Sequence, residues 1–196
     1  MPKVVDHAER RRVITEAARR VIVRDGVAAA TVREIAREAG VATGILGHYF
    51  ASKEEILIET HRMAFQSVGE RADAKNVDTR GLAALRVALY EALPLDDLRR
   101  DEAILDLAFW SQAIGNEELN KVRRESQRLA RFWWLRMIAD ARSAGEITML
   151  RDDDAVVDWI VWLCDAAAVS AVLYPEEWSP ARVQGMADSF FEILQS

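Results

Sequence analysis

Residues 31–53, TVREIAREAGVATGILGHYFASK, spell two short helices joined by a glycine turn, with a third helix opening where the stretch ends. Thr31 is placed to cap the first helix, and Glu34, three residues on, completes a capping box. Val32, Ile35, Ala36 and Ala39 then share one face at helical spacing. Gly40 falls where a helix ends in a left-handed residue, the conformation glycine adopts at least cost. After Val41-Ala42 a second helix of about two turns is predicted over 43–49, stopped near Phe50, and Ser52 with Glu55 opens the next. Two helices set at an angle by a short glycine turn make a helix-turn-helix, whose second helix is the width of the DNA major groove.

Within that second helix the spacing separates packing from contact. Leu46 and Phe50, four apart, point inward with Val41, while Gly44 with His48 and Ile45 with Tyr49 form outward rows. Two glycines let the backbone approach a groove floor, Ile45 suits a thymine methyl, and Thr31 at a helix start suits a phosphate. A preceding helix is expected from about Asp6 to Asp25, stopped by Gly26. Ile14, Ala17, Ala18, Val21 and Ile22 form its inner face. Its six arginines read mainly as a solvated face, with one or two near the helix start within reach of phosphate.

Charge divides along the same line. Residues 1–53 carry ten Lys/Arg against six Asp/Glu, and residues 54–196 sixteen against twenty-six, within a chain of net charge −6. Only the N-terminal part suits phosphate, and the acidic remainder disfavours indiscriminate coating of DNA. Half the residues are hydrophobic and four are proline, so long helices with a real core are expected. No uninterrupted apolar run approaches the roughly 20 residues of a membrane span, and MPKVVDHAERRR lacks a signal-peptide core, so a cytoplasmic protein is expected. Cys164 is the lone cysteine, in an apolar run that reads as a buried thiol. No GxSxG, phosphate loop, HExxH or CxxC occurs, and His7, His48 and His61 have no metal spacing. No enzyme, metal or cofactor is expected.

Further helices are predicted near 52–75, 79–93, 97–115, 117–144, 153–173 and 180–195, broken at Asn76-Val77-Asp78, Pro94, Gly115-Asn116, Gly145–Arg151 and Tyr174–Pro180. The 153–173 helix is apolar nearly all round, which implies burial on both sides, the core on one and a second subunit on the other. Phe109, Trp110, Phe132, Trp133, Trp134, Trp159 and Trp162 make the body rich in aromatics, and Asp158 and Asp165 lie seven apart on the apolar helix. A carboxylate beside indole faces suits a cationic ligand. Asp152-Asp153-Asp154 reads as a helix cap with partners for the helix dipole.

The string Gly40-Val41, Gly44, Leu46, His48-Tyr49-Phe50, Ser52-Lys53-Glu54 behind a basic helix resembles the DNA-binding segment of the TetR family of bacterial one-component repressors, over roughly residues 10–60. TGILGHYF and Leu107-Ala108-Phe109-Trp110 are similar to the subgroup that represses the choline-to-betaine pathway. The chain departs from the family at Gly47, where many members have an aromatic residue, and from the subgroup at Asp165-Ala166-Ala167-Ala168, where Asp-Gly-Leu-Trp is usual.

The resemblance implies an all-α, nine-helix architecture: a helix-turn-helix domain over residues 1–53 and a helical ligand-binding and dimerisation domain over 54–196. It places Thr43, Gly44, Ile45 and Gly47 near base edges and His48, Tyr49 and Lys53 on phosphates. It gathers Phe109, Trp110, Trp133, Trp134 and Trp162 around an effector, with Asp165 as an anionic end for a cationic or aromatic molecule. It also implies a homodimer joined through the final two helices, by Trp159, Val169, Val172, Val183, Met186 and Phe190. The expected function is a dimeric repressor on a palindromic DNA operator, released by a small molecule. The alternative is a DNA-binding module that is unregulated or controlled by a protein partner, its aromatic cluster being plain core.

Overall fold

A computed structural model describes residues 7–196. Among these residues the chain forms helices and no strand: α1 His7–Asp25, α2 Val32–Glu38, α3 Thr43–Leu46, α4 Lys53–Lys75, α5 Gly81–Ala92, α6 Asp97–Ala113, α7 Glu117–Ser143, α8 Asp153–Leu173 and α9 Pro180–Leu194. Asp6, expected to open α1, lies outside the described residues. The breaks fall where the punctuating residues put them, with Gly26, Gly40, Gly115 and Gly145 all at positive φ.

The chain divides into two compact units. One runs to Ala64 and includes Ile104–Val122, and the other comprises Phe65–Ala103 and Arg123–Ser196. This differs from a break after residue 53, because α4 extends the first unit to Ala64 and α6–α7 return the chain to it. The core of the first unit contains the expected face of α1, where Ile14, Ala17, Ala18, Val21 and Ile22 are all buried, with Ile35, Leu46 and Phe50. The core of the second unit brings together Leu85, Leu89, Ile138, Val157, Ile160 and Phe191 from α5, α7, α8 and α9.

A buried charge cluster ties α4, α5 and α6 within the second unit. Glu91, 3% exposed, accepts from Arg71 Nε at 2.9 Å and Lys75 Nζ at 2.6 Å, with Arg99 Nη1 at 3.4 Å. Arg71 also holds Glu102 through two 2.7 Å bonds. Burial pushes the Glu91 carboxyl pKa up, but the bonds from Lys75 and Arg71 outweigh it and leave the value below that of an ordinary glutamate.

Helix α8 is capped by Asp152, whose Oδ1 accepts from Ala155 N at 2.7 Å, while Asp153 pairs with Arg142 and Asp154 with Arg131. The acidic run thus does the capping and dipole work expected of it. By length and composition α8 is apolar enough to cross a bilayer, although Asp158 and Asp165 interrupt every long apolar run. It buries Val156, Val157, Ile160, Ala167 and Ala171 on one side and leaves Trp162 and Leu173 open on the other.

Candidate functional site

The first unit turns one face of α3 to solvent. Leu46 and Phe50 are buried and Val41 packs against them, so the opposite side of the helix faces solvent. Thr43, Gly44, Gly47 and His48 are exposed, as is Ile45. A Cβ added at Gly44 meets nothing within 4 Å, and one at Gly47 meets only the Gly44 carbonyl oxygen at 3.7 Å. Neither glycine is required by packing inside the subunit, and both keep the helix surface flat where a groove floor would approach. The helix is shorter than the two turns expected: after Leu46 the bonds from His48 N to Ile45 O and Tyr49 N to Leu46 O close at three residues rather than four.

Both capping boxes form in part. Thr31 Oγ1 accepts from Glu34 N at 3.2 Å, but Thr31 N donates to Ala29 O and the Glu34 carboxylate turns to Arg37. Ser52 Oγ accepts from Glu55 N, while the Glu55 carboxylate accepts from Ala51 N.

Tyr49 is half-buried, its ring centroid 4.7 Å from that of His7. Lys53 Nζ donates to Val27 O at 3.1 Å, and an ammonium has two further protons for a phosphate. The α1 arginines are largely occupied. Arg11 bonds the Tyr49 carbonyl and Glu55 and lies over the Phe50 ring. Arg12 pairs with Glu9, Arg19 with Glu16, and Arg20 and Arg24 with Glu38. Arg11 is therefore a clamp joining α1 to the end of α3 and the start of α4, and the phosphate role expected near the helix start is not assigned to it.

Sequence reasoning missed Arg33. It lines a groove of about 360 Å³ with Thr31, Glu34, Arg37, Val41, Ala42 and Thr43, and it has no carboxylate within ion-pair distance among the described residues, Glu34 being taken by Arg37. The signal was present, since Arg33 and Arg37 make an i,i+4 row on α2 two residues after the Thr31 cap.

The second unit holds a cleft of about 450 Å³ between α4, α5 and α7, walled by Phe65, Ala88, Leu129, Trp133, Trp134 and Met137. Of the six residues expected around an effector, Trp133 and Trp134 line it. Phe109 belongs to the first unit, buried and stacked on His61 at 4.2 Å between centroids, and Trp110 is half-buried in that same unit. Trp162 is 67% exposed. Asp165 sits 3.8 Å from Arg123, so it is a paired carboxylate outside the cleft lining. Asp158 likewise pairs with Arg131.

On the outer side of the same unit, Trp162, Val169 and Leu173 of α8 and Met186 and Ile193 of α9 are exposed. Gly185 lies beside Met186, with open space where its Cβ would be. Among the residues expected at a subunit interface, Val169 and Met186 belong to this open surface, and Trp159 and Val172 are half-buried. Val183 and Phe190 instead face the subunit's own core, because they lie on the inner row of α9 with Ala187 and Leu194.

An exposed short helix backed by a packed three-helix unit, in a chain whose remainder is acidic and helical, defines a helix-turn-helix transcription regulator. Residues 14–60 match the model for bacterial regulatory proteins of the TetR family, and residues 81–195 match the model for the C-terminal part of BetI-type transcriptional repressors. The chain belongs to the TetR family, which consists of transcriptional regulators rather than enzymes. It is 28% identical over 94% of its length to the HTH-type transcriptional regulator PksA of Bacillus subtilis, covering 89% of that protein. It is 35% identical to the HTH-type transcriptional regulator BetI of Rhizobium meliloti over 62% of this chain and 61% of that one. In fold it matches a transcriptional regulator from Saccharomonospora viridis solved in complex with choline, with TM-score 0.86, 22% identity, and 94% and 96% of the two chains covered.

Proposed function

We propose that this regulator is a dimeric repressor which reads a palindromic operator through α3, in the bacterial cytoplasm, and releases it when a small molecule enters the cleft between α4, α5 and α7. The observation that carries the DNA reading is the division of α3 into a buried Leu46–Phe50 row and an exposed row of Thr43, Gly44, Ile45, Gly47 and His48. Thr43 and Ile45 read base edges. Arg33, Tyr49, His48 and Lys53 hold phosphate, with Thr31 at the start of α2. Dimerisation through the open faces of α8 and α9 sets two readers about one helical turn of DNA apart. The cleft, of drug-site size and walled by two indoles, supports a sensor over an unregulated module. Helix α4 is the covalent element that leads from the reader to the cleft wall.

Selection of duplexes from a random library, followed by binding as a function of salt, tests this reading. The expected product is an inverted repeat. Thr43→Val and Ile45→Ala should change the preferred bases. Lys53→Ala should weaken all duplexes alike and lower the log–log salt slope by about one. A chain that enriches no sequence and binds all duplexes equally would overturn the proposal.

A further inference from the structure

Resting on the cleft as the effector site, we infer that it takes a hydrophobic organic cation: an apolar or aromatic body bearing a single ammonium-type charge. The lining is hydrophobic apart from one side of α4. The charged residues on the lining are Glu70 and Asp73, and no lysine, arginine or histidine lines it. Gln66 Nε2 donates to Glu70 Oε1 at 2.6 Å, which orients that carboxylate without neutralising it. Neither acid has a basic partner within ion-pair distance among the described residues. Arg136 is the nearby cation that the aromatic wall attracts, its guanidinium 5.3 Å from the Trp133 ring centroid. It stays outside the lining.

These features discriminate between ligand charges. An anionic amphiphile would bury its tail against Phe65, Trp134 and Met137 but bring its head to two exposed like charges with no cationic partner on the lining, a repulsion with nothing to offset it. A neutral hydrocarbon would use the walls and ignore the rim. A cation with a hydrophobic body uses both, through charge attraction to Glu70 and Asp73 and through the indole faces. The volume also asks for a body larger than a small quaternary ammonium head.

Gly69 sets that space. It lies inside α4 between Val68 and Glu70, where glycine is a poor helix former, and a Cβ there would meet nothing within 4 Å. Packing does not require a glycine at this position. The absent side chain widens the cleft at its α4 wall, beside both acids.

The test titrates the full-length wild-type protein with decyltrimethylammonium below its micelle concentration and reads tryptophan emission. Sodium decanoate and choline serve as matched probes. Saturable quenching by decyltrimethylammonium is expected at concentrations at least 10-fold lower than for decanoate or choline. Gly69→Leu should abolish it by filling the cleft. Glu70→Gln with Asp73→Asn should weaken the cation at least 10-fold and bring it level with decanoate. Equal affinity for decanoate, choline binding as tightly as the long-chain cation, or undiminished quenching in Gly69→Leu would each overturn the inference. Quenching is read without DNA. A wild-type protein that binds the cation but selects no operator therefore refutes the regulator proposal alone, and one that selects an operator but shows no cation preference refutes this inference alone.

Discussion

Val169→Glu should turn the protein into monomers and lower operator affinity by about 100-fold or more, the scale on which two linked readers exceed one. Val169 is already part of the open surface of α8, with Trp162 and Leu173, so a carboxylate there leaves the subunit core untouched and acts only where another subunit would cover it. Gly185→Leu supplies a second probe on α9, because its Cβ meets open space within the subunit but would hold apart two helices seeking close contact. Sedimentation at micromolar concentration and a gel shift on the selected operator read both variants. Circular dichroism should stay unchanged in each. A wild-type chain that sediments as a monomer, or a Val169→Glu variant that remains a dimer, would refute the α8–α9 interface.

The largest loss of stability is expected at Glu91. Removing its carboxylate in Glu91→Ala leaves Arg71 and Arg99 on Glu102 and Asp96 but takes away the buried acceptor they share with Lys75, and leaving such donors unsatisfied costs about 1–3 kcal/mol. Glu91→Gln should cost less, since an amide oxygen still accepts one of the three donors. Urea titrations of the two variants and the wild type give the comparison. The same group contributes to acid sensitivity. Its carboxyl titrates lower in the folded chain than the ordinary value of 4.5, so its stabilisation is fully present above that value and is lost as pH falls through the lower folded value. Wild-type stability should therefore drop more steeply below about pH 4.5 than that of Glu91→Gln. Parallel acid profiles for the two chains would remove Glu91 from that role.

The sequence made most of the fold legible because its helix ends are marked by residues with local physics. Gly26, Gly40, Gly115 and Gly145 stop helices through their own backbone conformation, and Asp152 and Ser179 cap α8 and α9 through bonds three residues away. The two faces of α3 were visible for the same reason, since its inward and outward rows follow from spacing alone. The chain's own contacts at Lys53 and Arg11 were not, because Val27 and Glu55 lie 26 and 44 residues away. The pairing of Asp165 with Arg123 depends on how α7 and α8 align, which no local signal reports. The cleft was hidden more deeply, because Phe65, Ala88 and Trp134 come from three helices. The inward place of Val183 and Phe190 is not legible locally, because an apolar row on a helix does not state which neighbour it meets.

The ion pairs of α1 and α2 bear on how this reader searches. Glu9, Glu16, Glu34 and Glu38 sit on Arg12, Arg19, Arg37, Arg20 and Arg24, so the reader carries built-in counterions that random DNA must displace before those cations can serve it. Such competition trims the sequence-independent grip that would otherwise strand a regulator on the bulk of a genome. Glu38→Gln, which removes the carboxylate shared by Arg20 and Arg24 and leaves Glu16 near the first and Asp25 and Glu34 near the second, should tighten binding to unrelated duplexes more than binding to the operator. A side chain that looks like surface decoration would then act as a brake on promiscuity.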